Sequence, residues 1–148
     1  MKESGKRRWN VSTCYVKGER FVYFLGGRNT KTYDVVSWSQ RFDVCNLKWE
    51  NLPDMKNPRL GSGVHLTSDK RWLYAFFGSN LSIERLNVRD LKEWHNLDIE
   101  IPKQFYQTGY TVLQKAAFPG EATDTSSVLI LGGSATQITQ FDLKTFAF

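Results

Sequence analysis

Three apolar hexapeptides ending in glycine recur along the chain: Val22-Tyr23-Phe24-Leu25-Gly26-Gly27, Leu73-Tyr74-Ala75-Phe76-Phe77-Gly78 and Val128-Leu129-Ile130-Leu131-Gly132-Gly133. They lie 51 and 55 residues apart. Self-similarity at such a period marks an array of supersecondary units, each burying its apolar faces against the next. A glycine doublet after an apolar run has two readings. It can cradle a phosphate, or it can let a strand end in a turn that needs positive φ.

Other features keep the same order in each unit. Arg8 precedes Tyr23 by 15 residues, and Arg59 precedes Tyr74 by the same 15. Downstream come the apolar-plus-polar pairs Phe42-Asp43, Leu86-Asn87 and Phe141-Asp142, then an aromatic six or seven residues after the polar member: Trp49, Trp94 and Phe148. Helix signals are scarce, "NVRDLKEWHNL" (Asn87–Leu97) coming nearest. Strand signals are dense: short β-branched or aromatic runs, each followed by Gly, Asp, Asn, Ser or Lys. An all-β fold is expected.

Glycine doublet, aromatic-Asp pair, following tryptophan and the link Leu52–Gly63 together make the chain resemble the kelch repeat over nearly its whole length. The second unit departs at Phe77 and at Leu86-Asn87, and the third carries a longer loop, Lys115–Ser127. The resemblance implies propeller blades of four antiparallel strands. The expected strands are Trp9–Val16, Arg20–Leu25, Ser37–Asp43 and one from Trp49; then Gly63–Thr67, Trp72–Phe77, Ser82–Asn87 and Trp94–Ile99; then Gln107–Gln114, Ser127–Leu131 and Thr136–Leu143, with a fourth beginning at Phe148. Residues 1–7 read as a basic tail and 8–148 as a partial propeller, with blades over about 8–57, 58–103 and 104–148. Two blades are complete and the third lacks its outer strand, so an open arc is expected rather than a closed ring, which takes about four to eight blades. A Met just ahead of the first unit suits an N-terminal piece of a longer propeller or a shortened gene product. A piece of a longer propeller is the preferred reading; further copies, or another polypeptide, completing the ring are the alternatives.

Charge is uneven. Net charge is +5, but residues 1–31 alone carry eight basic and two acidic side chains. A basic end suits an acidic partner or a nucleic-acid backbone, and also suits a solvated surface. Two cysteines, Cys14 and Cys45, make no disulfide framework. With no apolar signal segment, a cytoplasmic location is expected, the nucleus remaining open.

Catalytic constellations are absent from the pattern. "GGRNTKT" lacks the glycine-lysine order of a phosphate loop, and neither doublet opens a helix. His65 and His95 lie 30 residues apart, with no local metal-ligand spacing. A site from His65 and Cys14 is conceivable, but a buried thiol and an ordinary strand histidine explain both. No enzyme, cofactor or metal is expected. The resemblance instead implies binding of a protein or peptide, an acidic one among the options, by loops on one face: Arg28–Val36, Ser79–Leu81 and Ser134–Ala135 between strands, and Pro53–Leu60 and Glu100–Gln104 between blades. Arg28, Asn29, Lys31, Tyr33, Arg59 and Asn80 are the candidate partner-binding side chains, Arg for bidentate carboxylate pairing and Tyr for rigid area with a polar tip. Arg59 also fills a repeat position and so has a structural reading. A structural subunit that completes a ring by self-association, and a nucleic-acid binder using the basic segment, are the alternatives.

Overall fold

A computed structural model of the chain describes residues 5–102, 109–114, 126–132 and 138–148. Among these there is no helix, and every strand pairing is antiparallel. Thirteen strands form four sheets. The first four-stranded sheet takes β2 (Ser12–Cys14), β3 (Phe21–Leu25), β5 (Ser39–Asp43) and β6 (Lys48–Asn51) in that spatial order. The middle sheet takes β7 (Gly63–Leu66), β8 (Trp72–Phe76), β9 (Ile83–Asn87) and β10 (Trp94–Asn96) in the same up-and-down manner. The third takes β11 (Tyr110–Gln114), β12 (Ser127–Gly132) and β13 (Thr139–Asp142). A two-stranded ribbon pairs β1 (Arg8–Trp9) with β4 (Arg28–Asn29). The sheets do not close into a barrel.

The strand order follows the sequence pattern, with one informative difference. The stretch expected as a single strand over Trp9–Val16 breaks in two, because Asn10 sits at φ 52° in the left-handed region. The break turns Arg8 and Trp9 away from the first sheet and onto Arg28 and Asn29. The helix-like stretch Asn87–Leu97 is instead strand end, turn and β10. Gly133, most of Lys115–Ser127, Ser134–Ala135 and parts of the expected strands Gln107–Gln114 and Thr136–Leu143 lie outside the described residues.

Side-chain alternation places the core. Along β8, Leu73 and Ala75 join Tyr23, Leu25, Val64 and Trp94 in a cluster between the first and middle sheets. Tyr74 and Phe76, on the other face, join Tyr110, Val128, Ile130 and Phe141 between the middle and third sheets. A middle strand buried on both faces reads as a continuous apolar run, whereas one solvated face would impose alternation. The polar member of each apolar-polar pair caps the turn into the next strand. Asp43 accepts from the backbone N–H groups of Cys45 (3.0 Å) and Asn46 (3.1 Å). Asp142 accepts from Lys144 (2.8 Å) and Thr145 (2.7 Å), and Asn87 from Arg89 (3.0 Å). A short side chain with a carbonyl-type oxygen is what an Asx turn needs, so Asn can stand for Asp.

Beyond Asp142 no further strand forms among the described residues, but the chain turns back on β13. The Asp142 N–H donates to Ala147 O at 2.8 Å, and the Phe148 ring meets Phe141 at 5.0 Å. Phe148 thereby holds the place that Trp49 holds opposite Phe42 and Trp94 opposite Leu86.

Candidate functional site

The glycines that end β3 and β8 are where the connecting segment crosses the strand ends. Gly26 and Gly27 adopt φ 61° and 101°. The Gly27 N–H donates to Arg59 O (2.8 Å), and the Arg59 N–H donates to Val36 O (3.2 Å). A Cβ on Gly26 would stand 2.3 Å from Arg59 O, so only glycine permits this approach. In the middle sheet Phe77 occupies the first glycine position at φ 52° and keeps its ring in the core. Close crossing at these ends gathers the loops 28–36, 53–60 and 79–81 along one edge of the stacked sheets.

Arg59 is no surface ligand. Its side chain is fully buried, and so is that of its ion-pair partner Glu84, with 2.6 Å between Nη2 and Oε1. The guanidinium also donates to Phe77 O (2.8 Å), Ser82 O (2.7 Å) and Ser82 Oγ (2.7 Å). Arg8 does the same for the first sheet, donating to Gly26 O (2.9 Å), Trp38 O (2.6 Å), Phe24 O (3.2 Å) and Gln40 Oε1 (3.2 Å). Each arginine ties the end of a sheet's second strand to the start of its third. Burial pushes the Arg8 guanidinium down to about 10, against the opposing pull of Asp54, and burial likewise lowers Arg59 against Glu84. The repeated 15-residue spacing therefore encodes a structural clamp, and Arg59 leaves the candidate set.

Asn80 is also engaged within the fold. Its amide donates to Pro58 O (2.8 Å) and accepts from Ser82 Oγ (2.7 Å). The remaining four candidates come together on one hairpin. Asn29 Oδ1 accepts from the N–H groups of Lys31 (2.8 Å) and Thr32 (3.4 Å), and the Tyr33 N–H returns to Asn29 O (3.0 Å). That ordering holds Lys31 and Tyr33 at the tip, with Tyr33 65% exposed. The Arg28 guanidinium donates to Tyr33 O and lies 5.7 Å from the centre of the Trp9 ring.

The β1–β4 ribbon brings further residues here that were not singled out from the sequence. Trp9 is 48% exposed. A depression of about 460 Å³ is lined by Gly5, Arg7, Asn29, Thr30, Lys31 and Trp38. Lys6 lies over the Trp38 ring, 5.3 Å from its centre, and pairs with Asp54 at 3.4 Å. The edge is thus cationic, with exposed aromatic surface between the charges. No local signal marks Trp9, because its position depends on pairing with Arg28, distant along the chain.

The groups considered for chemistry lie elsewhere. Cys14, on β2, is half-buried and its thiol is pushed up by burial, which disfavours the thiolate. His65 on β7 is 7% exposed, and Cys45 is exposed. Among the described residues no three His, Cys, Asp or Glu side chains group as metal ligands. No helix among them is long and apolar enough to cross a membrane. No protein-family model matches the chain, and no curated protein matches it.

Proposed function

We propose that the chain is a kelch-type propeller segment, two complete blades and a third that lacks its outer strand, forming an open arc. It acts as a non-enzymatic protein-interaction module that takes an acidic peptide segment of a partner protein along its loop edge. Support for the blade reading comes from the up-and-down sheets stacked in chain order and from the arginine clamp repeated in two of them. The binding reading rests on one observation: Arg7, Arg28 and Lys31 converge with exposed Trp9 and Tyr33 on the edge where the loops gather. Carboxylates would pair with the cations while apolar side chains lie on the two rings.

The nucleic-acid alternative weighs less, because Arg8 and Arg20 spend their guanidinium groups on internal acceptors. Fluorescence anisotropy with Asp/Glu-rich peptides and composition-matched neutral controls tests the proposal. Acidic peptides should bind more tightly, lose affinity as salt rises, and weaken at least tenfold with Lys31→Glu/Tyr33→Ser. Equal binding of neutral peptides, or indifference to that double variant, would overturn it.

A further inference from the structure

The two stacked interfaces inside the molecule are built from equivalent positions. The middle sheet faces the first with Leu73, Ala75, Leu86 and Trp94, all fully buried. In the first sheet the same four positions are Val22, Phe24, Phe42 and Trp49, and all are only half-buried. At the opposite end, Tyr23 and Leu25 of the first sheet, and Tyr74 and Phe76 of the middle sheet, are buried by the next sheet. Their equivalents in the third sheet, Leu129 and Leu131, are half-exposed, and Leu113 beside them is 49% exposed. The chain therefore carries one unmated copy of each half of an interface that it forms twice within itself.

We infer that the chain self-associates head to tail, the outer face of the third sheet in one copy covering the outer face of the first sheet in another. The receiving face already has a groove of about 300 Å³ in which Val11, Thr13, Phe24 and Trp49 are bordered by Lys6, Arg7, Arg8 and Gln40. Because the two faces differ, the contact is heterologous, and two copies of three stacked sheets satisfy both faces at once by closing on each other. Paired apolar faces of this kind are otherwise an aggregation hazard. The inference does not depend on what the loop edge binds.

One position sets the strength of the contact. The Trp94 indole N–H crosses to the first sheet and donates to Ser39 Oγ (3.2 Å) and Pro53 O (2.9 Å). At the next interface Phe148, with no N–H, lies against Phe77 and Phe141 in the cluster that contains Ile83, the residue equivalent to Ser39. Donor meets hydroxyl in one case, and ring meets hydrocarbon in the other. Between copies Trp49 meets Ile138, the third sheet's equivalent of Ser39, and loses the hydroxyl acceptor. A buried N–H without that acceptor weakens association.

Light scattering and sedimentation across micromolar concentrations test this. The wild-type chain should reach twice the mass of its 17.1 kDa monomer. Trp49→Phe should lower the dissociation constant severalfold, while Trp49→Asp and Leu129→Asp should each be monomeric with unchanged circular dichroism. Mixing those two aspartate variants should restore a heterodimer, since each keeps the face the other has lost. A wild-type chain that stays monomeric, a dimer that survives both aspartate variants, open-ended growth, or a mixture that fails to associate would each overturn the inference. So would a monomer whose Phe24–Trp49 face is occupied by a different polypeptide.

Discussion

Replacing Arg59 by Met separates a clamp from a binding residue. The pair Arg59–Glu84 has no solvent exposure, and the guanidinium makes four hydrogen bonds of 2.6–2.8 Å. Desolvation already lowers the Arg59 pKa, so the pair is not a large net source of stability. Breaking it is different, because Glu84 would remain buried without its counter-charge, at a cost of about 3–5 kcal/mol. Glu84 keeps donors from the Lys56 N–H (2.7 Å) and the Asn57 N–H (3.0 Å), which favours the lower part of that range. Phe77 O, by contrast, loses the Arg59 donor. A net loss of about 4 kcal/mol is expected, a large share of the ~5–15 kcal/mol that holds a domain. With a urea slope of about 2 kcal/mol/M, the midpoint should fall by about 2 M. Adding Glu84→Gln removes the stranded charge and should recover about half of that loss. The reasoning fails if Arg59→Met unfolds within about 1 kcal/mol of wild type while peptide affinity collapses, since Arg59 would then be acting at the surface.

Gly26→Ala should cost about 2–4 kcal/mol, since φ +61° adds to a Cβ 2.3 Å from Arg59 O; Gly18→Ala, at φ +80° with open space around it, should cost about 1 kcal/mol on the same denaturation curves. The Asp43 carboxyl is held well below the usual carboxylate range, chiefly by the Arg20 hydrogen bond at 2.5 Å, with the turn N–H groups adding to it. Its stabilisation is complete above the unfolded value near pH 4 and is lost as pH falls through the folded value, so urea midpoints of Asp43→Asn should depend less on pH below about 4 than those of wild type. Lys31→Ala and Tyr33→Ala should leave thermal stability within about 0.5 kcal/mol of wild type, because both side chains sit exposed at the hairpin tip.

What the sequence made legible was local. Gly26, Phe77 and Gly132 end strands because positive φ at that point is a property of a few consecutive residues. Asp43, Asn87 and Asp142 cap turns two or three residues ahead, so their spacing shows directly in the repeat. Arg59 was visible as a repeated position but not as a buried one, because its partner Glu84 is 25 residues away and across the sheet. The loop edge was only half legible for the same reason. Arg28, Asn29, Lys31 and Tyr33 share one hairpin and were read together. Arg7 and Trp9 join them only through the β1–β4 ribbon, which exists because Asn10 breaks the first strand. Phe148 was readable as the aromatic paired with Phe141, since its spacing from Asp142 repeats that of Trp49 from Asp43, but the outer strand expected to begin there is not formed among the described residues.

The central claim is that the cationic, aromatic edge is where a partner binds, and backbone amide shift mapping during titration with an Asp/Glu-rich peptide tests it most directly. The shifts should concentrate at residues 7–9 and 28–36, with the buried Arg59 moving little. Saturable binding whose shifts fall on the outer strands β6 and β10 instead, or acidic and neutral peptides producing the same map, would contradict it.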